Sequence, residues 1–88
     1  MTKTILITGA TAGFGKATAE HFAAANWNCI ITGRREDRLA ELALYLENTY
    51  GIQVHSLCFD VQSRTAVFDA INSLPESWQS IDVLLHNA

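Results

Sequence analysis

Apolar positions along the chain follow two alternating spacings. Short, nearly unbroken apolar runs predict strands at residues 3–8, 28–32, 52–59 and 81–86. The segments between these runs carry apolar residues three or four positions apart, which predicts three helices, the first over residues 16–26. Such strands alternating with amphipathic helices are typical of a parallel sheet covered by helices. We therefore predict an α/β fold with right-handed crossovers.

Signals at the ends of the helices refine this prediction. Glu36 and Asp37 begin the second helix, where the helix dipole favours anions, and Gly51 ends it. Ser63 is a candidate N-cap for the third helix, and Pro75 stops that helix. The predicted apolar faces of the three helices consist of Ala17, His21, Phe22 and Ala25; Leu39, Leu42, Ala43, Leu46 and Tyr50; and Val67, Ala70, Ile71 and Leu74.

Length and composition limit the class of protein. The 88 residues suit one small domain at most, and a hydrophobic content of 49% is too high for a disordered segment. A formal charge of -3 argues against a nucleic-acid partner. The apolar runs are too short to span a membrane, and the N-terminus lacks the pattern of a secretory signal. We therefore expect a cytoplasmic protein with neither a nucleic-acid nor a membrane partner.

The cysteines and histidines do not indicate a metal site. Cys29 and Cys58 lie in apolar runs without paired spacing, so we expect both to be buried free thiols in a reducing compartment. His21, His55 and His86 are too scattered along the chain to show the spacing of zinc ligands. We therefore predict no metal.

A glycine-rich loop joins the first strand to the first helix. It consists of Gly9, Ala10, Thr11, Ala12, Gly13, Phe14 and Gly15. A pyrophosphate needs backbone amides at close range, no obstructing side chain and the positive end of a helix. Gly9 suits the tight turn, Gly13 lets a ligand approach, and Gly15 lets the helix pack on the strand. Although three glycines also suit a purely structural turn, their place between strand and helix predicts a dinucleotide site.

The end of the second strand indicates which dinucleotide binds. Folds that prefer NAD place an acid there for the ribose 2′-hydroxyl, but this stretch reads Thr-Gly-Arg-Arg and ends in Arg34 and Arg35. Two guanidiniums would bind a 2′-phosphate through charge-assisted hydrogen bonds. The alternative is a solvated basic helix start, although cations there are mildly unfavourable. We predict NADP as the cofactor, bound through Arg34 and Arg35; for Arg38, one turn further on, we favour a solvated position over a phosphate contact.

Other candidate residues follow the third and fourth strands. Asp60 and Val61 come after the third strand, where Asp60 either caps the next helix or binds the adenine amino group. Asn87 ends the fourth strand, beside the point where doubly wound sheets bind ligands, or it is a turn residue. For His86 we favour packing at the strand end over a role as general base.

The order of the predicted strands bears on the extent of the domain. In a doubly wound sheet of order 3-2-1-4, the fourth strand would be a bare hydrophobic edge immediately before Ala88. We therefore expect residues 1–88 to be the N-terminal part of an incomplete Rossmann domain that binds NADP. We also expect these 88 residues alone to be marginally stable or prone to aggregation.

Together, these motifs resemble the short-chain dehydrogenase/reductase family. The loop matches its Thr-Gly-x-x-x-Gly-x-Gly pattern, and His-Asn-Ala at residues 86–88 resembles the start of its Asn-Asn-Ala-Gly motif, with His86 in place of the first Asn. The resemblance assigns Asp60 and Val61 to the adenine region. The loop, Gly-Arg-Arg followed by Arg-Leu, and Ser-Leu-Pro-Glu at residues 73–76 are similar to the subgroup of NADP-dependent 3-hydroxy acid (serine) dehydrogenases.

This resemblance implies hydride transfer between NADP(H) and a small alcohol or carbonyl, such as the 3-hydroxy acid serine. The family's catalytic residues are a Ser and a Tyr-x-x-x-Lys pair. Both lysines here, Lys3 and Lys16, precede Tyr45 and Tyr50, so no residue of this chain is assigned a catalytic role. For the full-length protein we expect a small-molecule substrate and a homo-oligomer.

Two other functions compete with this interpretation. The first is a non-catalytic NADP-binding or regulatory module, or an inactive fragment. The second is a methyltransferase-like nucleotide fold, which is disfavoured because its ribose site also requires an acid where Gly33 and Arg34 stand. A Tyr-x-x-x-Lys motif downstream in the parent gene would favour the enzyme.

Overall fold

A computed structural model of the chain describes residues 2–10, 13–59 and 64–86. Strands and helices alternate along these residues, as the sequence predicts. The elements are β1 (Thr4–Thr8), α1 (Gly13–Ala24), β2 (Asn28–Gly33), α2 (Glu36–Tyr50), β3 (Val54–Cys58), α3 (Arg64–Asn72), a 3-10 turn (Glu76–Trp78) and β4 (Val83–His86).

The four strands form one parallel sheet in the order β3-β2-β1-β4. In its register, Ile5 lies opposite Cys29 on one side and Val83 on the other. Asp82 fastens β4 to the start of β1, because the Thr4 N–H donates to the Asp82 carboxylate and the Asp82 N–H donates to the Thr4 carbonyl, each at 2.9 Å. The predicted α/β class, parallel pairing and strand order are confirmed.

The core has one layer on each face of the sheet. Ile5, Ile7, Cys29 and Ile31 point to the first face, where α1 and α2 cover them. Because side chains alternate along a strand, Leu6 and Ile30 point to the second face. There they pack against the buried Leu74 and the partly buried Ile71 and Trp78. β1 and β2 are therefore buried on both faces, which explains their nearly unbroken apolar runs.

Helix α1 buries a different face from the one that the sequence predicts. Its buried residues are Gly15, Ala19 and Ala23, whereas Ala17, His21 and Ala25 are exposed and Phe22 is half-buried. In a helix rich in alanine, apolar residues occur on every side, so they do not identify the buried face. The buried face of α1 is the one closest to the sheet, where small residues at intervals of four allow the helix to pack closely. The predicted stripe in this helix is wrong, and the helix also begins three residues earlier than predicted.

The second and third helices agree better with their sequence patterns. Leu39, Leu42 and Leu46 are buried, and the helix ends at Gly51, whose φ of 71° is left-handed. In α3, the predicted N-cap Ser63 lies outside the described residues. Leu74 is buried as expected but follows the end of the helix. None of the helices in the described ranges is both long and apolar enough to cross a membrane.

The β4 strand lies at the edge of the sheet, as the sequence predicts. Val83 is 38% exposed and Leu84 is 53% exposed, so apolar surface borders a backbone edge that has no strand partner among the described residues. Such an edge is a template for pairing with another strand. The structure is therefore consistent with the expected tendency of the 88-residue chain to aggregate, which stays a prediction.

The two cysteines differ in their surroundings. Both are free, and Cys29 is buried as predicted. Cys58 is exposed, so the prediction of a buried thiol there is wrong. The reason is that β3 is the other edge of the sheet, with β2 as its one neighbour in the described sheet, and its residues alternate between half-buried and exposed positions.

We expect a disulfide reagent to modify Cys58 in the folded protein much faster than Cys29. Burial raises the pKa of Cys29 from 9.0 to about 11, which lowers its thiolate population near neutral pH by about a hundredfold. Ellman's reagent applied to Cys29→Ala and Cys58→Ala variants separates the two rates. Rapid labelling of Cys29 without denaturant would contradict the burial of Cys29 in the core.

Candidate functional site

The predicted site residues lie together where the parallel strands end. We call this end of the sheet its carboxyl edge. β1 leads into the glycine loop, β2 leads into Arg34 and Arg35, and β4 ends at His86. Ligands of doubly wound sheets bind at this edge, close to the position where neighbouring connections diverge to opposite faces. In this chain that position lies between β1 and β4. Helices α1 and α2 cover one face of the sheet, and the segment after α3 covers the other.

Two glycines of the loop adopt a left-handed backbone conformation. Gly9 has a φ of 65° and Gly13 has a φ of 54°, in a region that L side chains rarely adopt. A Cβ added to Gly13 would meet no atom within 4 Å. The surface over Gly13 is thus open to a ligand, as the sequence predicts.

Gly15 has the opposite environment. A Cβ built on it would collide with the carbonyl oxygen of Gly9 and would lie 2.8 Å from both the Gly9 carbonyl carbon and the Ala10 Cα. All three of these atoms belong to the backbone, so no side chain can move aside. The absence of a side chain at Gly15 allows α1 to begin directly against the end of β1, which confirms the predicted packing role.

Ala10 anchors the loop to the neighbouring strand. It is 0% exposed, and its N–H donates to the Thr32 carbonyl oxygen at 2.9 Å. This amide is therefore engaged within the fold and is not free to bind a phosphate. Ala10 shapes the loop by packing, and the amides that could bind an anion lie further along the chain.

The first turn of α1 supplies such amides. An α-helix leaves its first four N–H groups without partners inside the helix, and here they belong to Gly13, Phe14, Gly15 and Lys16. The positive end of the helix dipole adds to them. Phe14, the second residue of this turn, is 86% exposed.

Arg34 and Arg35 lie at the turn between β2 and α2, and both are exposed. Arg35 is the N-cap residue of α2, with an extended backbone and no side-chain cap bond. Neither guanidinium forms a hydrogen bond or an ion pair with another residue of the described ranges. Within the described ranges, both guanidiniums thus face solvent without a bonded partner.

The chain after β3 remains next to this turn. The Phe59 N–H donates to the Gly33 carbonyl at 3.0 Å, and the Cys58 thiol donates to the Arg34 carbonyl at 3.5 Å. These contacts hold the end of β3 and Phe59 beside the turn that carries Arg34. The contact between Cys58 and Arg34 could not be predicted from the sequence. It depends on the register between β3 and the end of β2.

His86 ends β4 opposite Thr8. Its Nδ1 lies 3.1 Å from the Thr8 hydroxyl oxygen, which also lies 3.5 Å from the Leu85 carbonyl. A hydroxyl can donate to a neutral ring nitrogen or accept from a protonated one. The contact holds β4 to β1 and agrees with the structural role predicted for His86.

Five predicted cofactor-binding residues have no structural description. Thr11, Ala12, Asp60, Val61 and Asn87 lie outside the described residues. Their predicted roles therefore stay predictions.

A groove between α1 and α2 was not predicted from the sequence. It has a volume of about 610 Å³ and is open to solvent. Its lining consists of Lys16, Glu20, Arg38, Glu41, Leu42 and Tyr45. Sequence reasoning considered Arg38 but missed Lys16, because their proximity depends on how the two helices pack.

Tyr45 of α2 lies near Glu20 of α1 in this groove. Glu20, with a smaller contribution from Tyr50, raises the pKa of Tyr45 to about 12. The lining of the groove thus combines two acids, Glu20 and Glu41, with two cations, Lys16 and Arg38.

The chemistry available at the carboxyl edge is anion binding. The edge combines first-turn amides that have no partner inside the helix, an open surface at Gly13 and two guanidiniums that have no bonded partner among the described residues. In the described part of the chain, no group of three His, Cys, Asp or Glu side chains could hold a metal ion.

Comparisons with known proteins agree with this geometry. Sulfoacetaldehyde reductase 2 of Chromohalobacter salexigens is 47% identical and serine 3-dehydrogenase of Agrobacterium fabrum is 44% identical over 100% of this chain. Each match covers 34% of the relative, so the chain spans about a third of the length of these curated relatives. Both relatives are oxidoreductases by name.

The fold is likewise found among solved structures. L-Sorbose reductase from Gluconobacter frateurii, in complex with NADPH and L-sorbose, superposes with a TM-score of 0.91 and 33% identity, over 99% of this chain and 33% of that chain. A model of the short chain dehydrogenase family matches residues 3–88. The resemblance inferred from the motifs is confirmed, and the chain belongs to the short chain dehydrogenase family.

Proposed function

We propose that residues 1–88 form the NADP-binding N-terminal part of a short-chain oxidoreductase. The full-length protein would transfer a hydride between NADP(H) and a small alcohol or carbonyl substrate. The observation that carries this proposal is the pair of exposed guanidiniums, Arg34 and Arg35, beside the glycine loop at the carboxyl edge of the sheet. An acid at this position would instead favour NAD.

The residues present fit a dinucleotide phosphate. A Cβ at Gly13 would project into open space, so a pyrophosphate has access to the backbone of the loop. The free amides of the first turn of α1 suit its charge. Arg34 and Arg35 lack partners within the described ranges, which suits the additional 2′-phosphate.

Each part of this edge would have its own task. The first turn of α1 would hold the pyrophosphate, and Arg34 and Arg35 would hold the 2′-phosphate. Asp60 and Val61 are proposed to contact the adenine, and Asn87 is proposed to border the bound nucleotide. The cofactor, when bound, supplies or accepts the hydride. The structure of L-sorbose reductase with NADPH supports this assignment by its likeness.

The catalytic residues of such an enzyme would lie outside this chain. Within these 88 residues, no lysine follows a tyrosine with the spacing of the family's Tyr-x-x-x-Lys pair. We propose that the full-length protein carries that pair in further residues. We also place it in the cytoplasm as a homo-oligomer.

We expect the full-length protein to oxidise small 3-hydroxy acids such as serine with NADP. This expectation rests on the subgroup motifs and on the likeness to serine 3-dehydrogenase. The test is a panel of hydroxy acids, sugars, steroids and sulfonate aldehydes, followed by NADPH absorbance. Activity on sugars or steroids with none on hydroxy acids would overturn the substrate class but leave the cofactor site standing.

Binding without turnover has a separate meaning. If the full-length protein binds NADPH tightly but reduces or oxidises no member of the panel, and its sequence lacks Tyr-x-x-x-Lys, the non-catalytic module replaces the enzyme. If it binds neither NADPH nor NADH, the proposed function is wrong.

A further inference from the structure

The backbone of the turn between β2 and α2 is held by hydrogen bonds from three parts of the fold. The carbonyl oxygens of residues 32–35, four in succession, each accept a hydrogen bond. In that order, the donors are the N–H of Ala10, the N–H of Phe59, the thiol of Cys58 and the N–H of Leu39, at 2.9, 3.0, 3.5 and 3.1 Å. These donors belong to the glycine loop, to the chain at the end of β3 and to α2. The turn that carries Arg34 and Arg35 is therefore fastened to its surroundings.

The Cys58 thiol holds the peptide group that joins Arg34 to Arg35. A peptide group is planar, so a hydrogen bond to its carbonyl restricts the backbone on both sides of it. The Phe59 N–H holds the preceding peptide group, and the Leu39 N–H holds the following one. The Cα atoms of both arginines thus lie between fastened peptide groups. This fixes the direction in which each arginine side chain leaves the backbone.

Cys58 supplies the one side-chain donor among these four hydrogen bonds. The other donors are backbone N–H groups, which every residue except proline carries. Cys58 lies opposite Gly33 at the end of an edge strand, is exposed and belongs to neither layer of the core. Its side chain therefore contacts the turn without filling the interior, and a substitution can remove this contact while the backbone bonds remain.

We propose that Cys58 is a positioning residue for NADP(H), whose thiol holds the peptide group between Arg34 and Arg35 so that both guanidiniums meet the 2′-phosphate. This role rests on the proposed function and adds a residue that determines cofactor specificity. Without the thiol, that peptide group rotates more freely, and the arginines lose more conformational freedom when the nucleotide binds. The cost falls on NADP(H), because NAD(H) has no 2′-phosphate for the arginines to bind.

The test is fluorescence titration of the full-length protein and of its Cys58→Ala variant with NADPH and with NADH. A thiol is a weak hydrogen-bond donor. We therefore expect the dissociation constant for NADPH to rise about threefold and that for NADH to stay unchanged. Ser56→Ala is the matched control, because Ser56 is exposed on the same face of β3 but lies opposite Ile31, away from the turn. This control should bind both nucleotides like the unmodified protein.

A double-mutant cycle separates positioning from general support of the fold. In an Arg34→Ala/Arg35→Ala background, Cys58→Ala should cause no further loss of NADPH affinity, because no guanidinium remains to be positioned. The positioning role is overturned by an undiminished loss in that background, by an equal loss for NADH, or by unchanged NADPH binding in the single variant. Equal affinity of the unmodified protein for NADPH and NADH would instead refute the proposed function.

Discussion

A Gly15→Ala variant is expected to be unfolded, or destabilised by more than about 3 kcal/mol. The new Cβ would collide with the Gly9 carbonyl oxygen and would lie 2.8 Å from two further backbone atoms. Relief requires α1 to move away from β1, which separates Ala19 and Ala23 from the core. Urea unfolding followed by circular dichroism measures the loss, and aggregation during expression would be its extreme form.

Gly51→Ala is the control for this variant. Gly51 has a φ of 71° and open space around its Cβ position, so alanine there introduces backbone strain without a collision. That strain costs about 1 kcal/mol. Similar small losses in both variants would show that α1 does not depend on close contact at Gly15.

An Arg34→Ala/Arg35→Ala variant is expected to bind NADPH about a hundredfold more weakly. Hydrogen bonds to charged groups contribute about 1.5–3 kcal/mol each. Because both side chains are exposed, solvent screening reduces this, and about 3 kcal/mol remains for the pair. NADH binding should change little, since the two dinucleotides differ only in the 2′-phosphate. Fluorescence titration with both nucleotides measures the effect.

Two controls accompany this variant: the dependence of binding on ionic strength, and a substitution of a distant lysine. The loss of affinity should shrink at high ionic strength, because screening weakens an exposed ionic contact. Lys3→Gln removes a positive charge at the amino-terminal ends of the strands, opposite to the carboxyl edge. There the Lys3 Nζ lies 5.5 Å from the centre of the Trp27 ring. That variant should bind NADPH normally. Equal losses for NADPH and NADH in the double arginine variant would mean that the arginines support the fold.

The sheet could be predicted from the sequence because its signals are local. The apolar runs of β1 and β2 have no polar break, since both strands are buried on two faces. The glycine loop could be predicted for a similar reason, because the φ values of Gly9 and Gly13 suit few other residues. These features depend on a few neighbouring positions and little on distant packing.

The errors concern features that depend on packing between elements. The buried face of α1 is set by the contact between Gly15 and Gly9, while alanines elsewhere on the helix are equally apolar. Cys58 is exposed because it ends an edge strand, although its neighbours in sequence are apolar. The proximity of Lys16 and Arg38 likewise follows from the packing of two helices, which periodicity within each helix does not determine.

The most direct test of the central claim is the relative affinity of the unmodified full-length protein for NADPH and NADH. The claim is that the carboxyl edge of this sheet binds NADP through Arg34 and Arg35. Calorimetric titration at low salt should give a dissociation constant for NADPH about a hundredfold below that for NADH. Equal affinity for the two nucleotides, or tighter binding of NADH, would contradict the claim.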